Sequence, residues 1–192
     1  LLEGKTRSCF AMTEPDVASS DATNIATRIE RDGDHYVING RKWFSSNAYH
    51  PDLGFYIVMG KSDPGAPRHQ QHSQILVDAD APGLTKVRHL SVLGYSDLPR
   101  GHAELVFDNC RVPAANVLGE VDKGFYSVMK NFQTERIALA AMAVGHANQA
   151  LRLTLDFVRQ RQAFGATLWD KQVIRQRLAM LDAKTRATRA YM

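Results

Sequence analysis

The chain has 192 residues, 44% hydrophobic and 23% charged, and its 24 Lys and Arg against 20 Asp and Glu leave a net charge of +4. That is enough apolar material for one large domain or two small ones, and the absence of any long unbroken apolar run excludes a membrane-spanning helix. Two cysteines, Cys9 and Cys110, sit in strand-like surroundings, which suits free thiols in a reducing compartment rather than a disulfide scaffold; no Cys or His spacing matches a metal site.

In chain order, residues 1–112 read as β structure, with short β-rich runs separated by Gly, Pro, Asn and Asp. Strands are expected over 7–12, 22–31, 35–39, 41–45, 54–60, 73–79, 84–90 and 103–112. Asp32-Gly33 and Asn39-Gly40 each predict a tight hairpin, because both offer residues that tolerate positive φ. The even spacing favours a small antiparallel barrel or sandwich. The stretch 64–72, rich in Pro, Gln and His, reads as a polar loop.

Residues 113–123 form a linker, and from Gly124 the apolar period changes to 3.6. A first helix is expected over 124–161, bending near Gln133 and ending at Phe164-Gly165. A second begins near Asp170 and still runs at Met192. Two helices bury each other poorly, so they read as the start of an incomplete four-helix bundle. The chain opens on Leu-Leu-Glu-Gly without Met and closes without a helix stop signal, so a fragment of a longer protein is the expectation. The fold class is therefore an α+β fragment: β domain 1–112, linker 113–123, helices 124–192.

On the first helix, Val128, Phe132, Leu139 and Met142 form one apolar stripe, and Glu135 lies on the same stripe. A carboxylate facing a dry pocket is raised toward the range useful for taking a proton near neutral pH; the competing reading pairs Glu135 with Arg136 or sets it at a rim. The basic residues of the last third, among them Arg159, Arg161, Arg175 and Arg186, read as a solvated helix surface, with an anionic ligand or nucleic acid as the sharper alternative.

Several motifs stand in a fixed order: Cys9-Phe10-Ala11-Met12-Thr13-Glu14-Pro15 running into a Ser-rich turn, Gly40-Arg41-Lys42-Trp43-Phe44-Ser45-Ser46-Asn47, Arg111-Val112-Pro113, Thr134-Glu135-Arg136, and Arg161-Gln162-Ala163-Phe164-Gly165 followed by Gln172. Together they resemble the acyl-CoA dehydrogenase family of flavoproteins across essentially the whole chain. The resemblance implies a middle β-barrel domain and the opening helices of the C-terminal bundle. It implies FAD as cofactor, with Phe10 among the cofactor-binding residues, the Met12 backbone and the Thr13 backbone and hydroxyl at the pyrimidine side of the flavin, Phe44 stacked on the ring and Ser46 offering a hydroxyl to N5. Phe44 stands where Trp is common in the family and Ser46 where Thr is common. The turn before Asp21 is one residue longer than the family form, leaving Ser20 as the match to a serine near the thioester arm. Arg161, with Phe164 and Gln172, is implied to serve the FAD of a neighbouring subunit, and hence a homodimer or homotetramer. The segment 93–101 departs from the family pattern at the substrate-side wall.

Most of the family keeps its catalytic glutamate on a late loop, which would fall beyond Met192, and that remains the alternative; Thr134-Glu135-Arg136 is similar to the isovaleryl- and long-chain acyl-CoA subset, which implies Glu135 as catalytic base and Arg136 as a substrate-binding residue. The implied activity is α,β-dehydrogenation of an acyl-CoA, with an electron-transferring flavoprotein as electron acceptor, in the cytoplasm of a bacterium or the mitochondrial matrix of a eukaryote. Oxidases, monooxygenases and a DNA-binding flavoprotein share the architecture and remain open as alternatives; the arginines lack the interleaved aromatics of a nucleic-acid surface.

Overall fold

A computed structural model describes all residues, Leu1–Met192, as two compact units, 1–129 and 130–192. The first unit is built on a seven-stranded sheet: β1 (Arg7–Ala11), β2 (Arg28–Asp32), β3 (His35–Ser46), β4 (Leu53–Lys61), β5 (His72–Asp78), β6 (Leu84–Leu90) and β7 (His102–Pro113). β6, β7, β3 and β2 pair antiparallel in that order. β4 pairs antiparallel with β5, lies parallel to β1 on its other side, and touches β2 through the single bridge Arg28–Lys61. The sheet is thus mixed, antiparallel apart from the contacts of β1 and β2 with β4.

Alternation decides which side chains enter the core. Tyr36 and Ile38 of β3, Tyr56 and Val58 of β4, Ile75 and Val77 of β5, and Leu105 and Phe107 of β7 are all buried. Cys9 and Cys110 are buried and unpaired, and burial pushes the Cys9 thiol up to about 12 and the Cys110 thiol up to about 11.

The Asp32-Gly33 hairpin forms as expected, with Gly33 at φ 62. The one expected at Asn39-Gly40 does not: β3 runs straight through, with a register shift between Ile38 and Gly40. Gly40 serves close approach instead, since a Cβ there would stand 2.4 Å from Thr27 Oγ1 and 2.8 Å from Thr27 Cα. The strand expected over 22–31 is also shorter, because Asp21 caps a 3-10 turn over Ala22–Asn24 by accepting from the Thr23 amide at 3.1 Å.

Residues 113–123 lie along β5. The Leu118 amide donates to the Gln74 carbonyl, Asn116 Nδ2 donates to the Leu76 carbonyl, and Ser73 and Ser62 hold Asp122. Helix α1 (Gly124–Gln160) starts against the same strand, where a Cβ on Gly124 would meet the Ser73 backbone at 2.9 Å.

The second unit contains the rest of α1, a two-strand ribbon of β8 (Gln162–Ala163) and β9 (Ala166–Thr167), and α2 (Gln172–Tyr191). The ribbon's turn has Phe164 at φ 57 and Gly165 at φ 75, the two left-handed residues of a tight hairpin. Ahead of α2, Thr167 and Asp170 form a capping box, and the Thr167 hydroxyl and amide hold the Asp170 carboxyl below its usual range. Ala147, Ala150 and Leu151 of α1 line one groove with Leu178 and Leu181 of α2. Neither helix is long and apolar enough to cross a membrane.

Candidate functional site

The first unit gathers its candidate residues where β1 ends against β3. The Trp43 amide donates to the Thr13 carbonyl at 3.0 Å, and the Thr13 hydroxyl donates to the Trp43 carbonyl at 2.7 Å. Two segments thirty residues apart are thereby locked edge to edge. These bonds use the Thr13 carbonyl and hydroxyl hydrogen; they do not use its amide N–H.

A bulge shapes what β3 presents there. Register slips between Lys42 and Ser45, and Phe44 takes φ 48, a left-handed conformation that is uncommon for a bulky residue. The slip buries Lys42 and Ser45 and turns both Phe44 and Ser46 outward. Phe44 is 41% exposed, with the Trp43 ring centre 5.0 Å from its own and the two planes 62° apart. Phe10 is also exposed, on β1. Met12 and Thr13 are half-buried, and Ser20 is exposed on the turn that follows.

Beneath this edge lies a polar group that the sequence reading did not single out. Lys42 is fully buried, and its Nζ donates to the Met12 carbonyl at 2.8 Å, the Met59 carbonyl at 2.6 Å and Glu14 Oε1 at 2.8 Å. Glu14 in turn accepts from the Ala26 and Thr27 amides at 2.8 and 2.9 Å. Burial by itself would raise the Glu14 carboxyl; the Lys42 ammonium and the amide donors outweigh it and hold the pKa below the usual range. Burial pulls Lys42 down to about 8 against the attraction of Glu14, so both groups are charged at neutral pH. Both residue types are those of surface charges, and Glu14 lies beyond the end of β1, so the only sequence signal was the parity that Lys42 shares with Tyr36 and Ile38 on β3.

Ser46 has a partner across the ladder. It is paired with His102 of β7, and its Oγ lies 2.9 Å from His102 Nδ1. His102 also went unnoticed in the sequence, because its proximity depends on the β3–β7 register alone.

In the second unit, Glu135 and Arg136 are both exposed. Asn131 Nδ2 donates to Glu135 Oε1 at 2.5 Å, and the Arg136 guanidinium lies 5.9 Å from the Phe132 ring centre. The expected dry setting for Glu135 is absent in this chain, because Leu139 and Met142 of the same stripe are themselves exposed and nothing in the unit covers that face. Arg161 is exposed at the end of α1, Gln172 is exposed at the start of α2, and Phe164 is 94% exposed at the tip of the β8–β9 turn with Lys171 Nζ 6.0 Å from its ring centre. Several arginines of the basic third are already engaged, Arg152 and Arg186 with Asp156 and Asp182 one helical turn away, and Arg159 over the Trp169 ring. This leaves less unpaired positive charge than the sequence count suggests.

Comparison with known proteins follows the division of the fold. A family profile described as acyl-CoA dehydrogenase, middle domain, matches residues 9–110, and one described as acyl-CoA dehydrogenase, C-terminal domain, matches residues 122–192. Human acyl-CoA dehydrogenase family member 11 is 45% identical over 176 residues, covering 91% of this chain and 23% of its own length. The crystal structure of acyl-CoA dehydrogenase from Geobacillus kaustophilus superposes with a TM-score of 0.89 at 38% identity, over 98% of this chain and 48% of that one. Butyryl-CoA dehydrogenase from Megasphaera elsdenii gives a TM-score of 0.88 at 32% identity over the same shares.

A mixed half-barrel leading into long helices, with an aromatic and a hydroxyl turned out at the barrel edge, is a two-domain portion of a flavoprotein architecture. The chain belongs to the acyl-CoA dehydrogenase family. It spans half or less of the length of the relatives compared.

Proposed function

We propose that the protein carrying this chain is an FAD-dependent oxidoreductase that introduces an α,β double bond into an acyl-CoA thioester. The observation that carries the reading is the Thr13–Trp43 lock, which sets a backbone polar edge beside an outward aromatic ring and an outward hydroxyl. A flavin asks for this combination: polar main chain along its pyrimidine half, a π surface against its face, and a small hydrogen-bonding group at N5. The residues present fit it.

FAD, when bound, supplies the acceptor for the hydride that leaves the β-carbon. Met12 and Thr13 would hold the pyrimidine side through their main chains, with Phe10 beside them on β1. Phe44 would stack on the ring and Ser46 would meet N5. Arg161 suits a diphosphate, since a guanidinium fork binds paired oxyanions better than an ammonium does. Its exposure, together with the exposed Phe164 tip and Gln172, supports service to the cofactor of a second copy in a homodimer or homotetramer. Glu135 would take the α-proton, Arg136 would orient the substrate, and Ser20 would lie near the thioester arm. A carboxylate removes such a proton only where hydrogen bonds stabilise the developing enolate and water is excluded. Electrons would leave to an electron-transferring flavoprotein.

The test is anaerobic bleaching of the full-length flavoprotein by a panel of acyl-CoA thioesters. Wild type is expected to carry one FAD per chain and to bleach, and Glu135→Gln to bleach about 10²-fold more slowly with substrate still bound. A Glu135→Gln rate within a few-fold of wild type moves the base elsewhere. Absence of both flavin and bleaching overturns the reading.

A further inference from the structure

We propose that His102 sets the direction of the Ser46 hydroxyl, so that Ser46 meets the flavin as a hydrogen-bond acceptor. The inference rests on the reading above, in which Ser46 stands at N5. His102 is a positioning residue: it acts through Ser46.

The imidazole is held from several sides. His102 opens β7 directly opposite Ser46 at the end of β3, and its side chain is 17% exposed. The preceding residue is pinned twice: the Asn47 amide donates to the Gly101 carbonyl at 3.0 Å, and the Gly101 amide donates to the Asp97 carbonyl at 2.8 Å. Gly101 itself sits at φ 59, and a Cβ there would come within 2.9 Å of the Tyr49 ring, so the backbone has little room to move. One ring nitrogen, Nδ1, lies 2.9 Å from Ser46 Oγ. The other, Nε2, faces the Asp97 carboxylate at 3.9 Å, with the Arg100 guanidinium 3.8 Å from the other Asp97 oxygen.

The chemistry follows from those two neighbours. A neutral imidazole carries hydrogen on one nitrogen and a lone pair on the other. A carboxylate facing Nε2 favours the hydrogen there, which leaves Nδ1 as the acceptor. Ser46 then donates its only hydrogen to Nδ1, and the side of Oγ turned to a ligand carries lone pairs. An oxidised flavin has a bare N5, which a lone pair repels, whereas the two-electron-reduced ring has an N–H there, which a lone pair accepts. His102 therefore biases the bound cofactor toward the reduced form and raises its midpoint potential. Without His102 the hydroxyl turns freely and can donate to the bare nitrogen.

The experiment is the midpoint potential of FAD in the full-length holoprotein, read spectrophotometrically against redox dyes. His102→Leu is expected to lower it by about 30 mV, the shift for a tenfold loss of preference for the reduced form in a two-electron couple. His102→Asn keeps an acceptor near the Nδ1 position and should hold the wild-type value, whereas general damage to the fold would move both variants. In a Ser46→Ala background, His102→Leu should shift the potential little. A His102→Leu protein with full FAD content and an unmoved potential overturns the proposal, as does an equal shift with and without Ser46. A full-length protein that binds no FAD overturns it together with the reading on which it rests.

Discussion

The two units solve the problem of burial differently. The β unit closes a core of its own, from Cys9 to Val112, and can hold a fully buried lysine within it because three oxygens receive the Lys42 ammonium. The helical unit buries only Val144, Val158 and Leu178, and leaves Ile137, Leu139, Met142, Leu153, Phe157 and Met180 in water. A sheet can satisfy its second face by curling on itself, whereas a pair of helices offers one shallow seam and needs further apolar surface. The candidate residues divide accordingly: Thr13, Phe44 and Ser46 are set by bonds and strand register inside the β unit, whereas Glu135, Arg136, Arg161 and Phe164 stand exposed in the helical unit.

Three changes break or sharpen that contrast. The largest effect is expected for Lys42→Ala, which leaves Glu14 charged, buried and stripped of its counter-ion, at a cost of about 3–5 kcal/mol. Urea unfolding followed by Trp43 fluorescence measures it, and Glu14→Gln in the same protein should recover part of the loss. A cost near zero would mean that the β unit does not depend on its polar centre.

Next is the response to acid, which should come from the β unit. His72 is fully buried with neither ring nitrogen hydrogen-bonded, and burial, followed by the nearby Lys61, pulls its pKa below the ordinary 6.5; the Ile25 carbonyl near the ring opposes this without reaching bonding geometry. A base whose folded pKa is depressed is neutral in the fold and takes its proton more readily when unfolded. Its contribution is therefore present above pH 6.5 and is lost as pH falls below that value. The depressed Glu14 carboxyl adds a further loss below its ordinary 4.5. Urea midpoints measured from pH 8 to pH 4 should decline from about pH 6.5, and His72→Leu should flatten the first part of the decline. An unchanged profile in that variant would remove His72 from the account.

The smallest effect is expected at Leu139. On this 192-residue chain, Leu139→Ala should change stability by less than about 0.5 kcal/mol, the usual range for an exposed position. A loss of several kcal/mol in the same unfolding assay would show that the helix face is already covered, by a second copy for example, and would erase the contrast.

Local signals determined a good deal of this protein by themselves. Period-2 and period-3.6 patterning located most of the strands and both helices, with α1 starting at Gly124 as expected, because burial of one face imposes its period on the residues. The motif order was enough for the family. Tertiary structure alone decided the rest. Asn39-Gly40 has the composition of a turn, yet the approach of Thr27 uses Gly40 as a gap in a continuous strand. Lys42 and Glu14 look like surface charges until three strands converge on them. Ser46 and His102 are 56 residues apart and meet only because β3 and β7 pair in one register after two slips. Such pairings are long-range: each depends on the sum of many ladder contacts and bulges, and no window of sequence contains that sum.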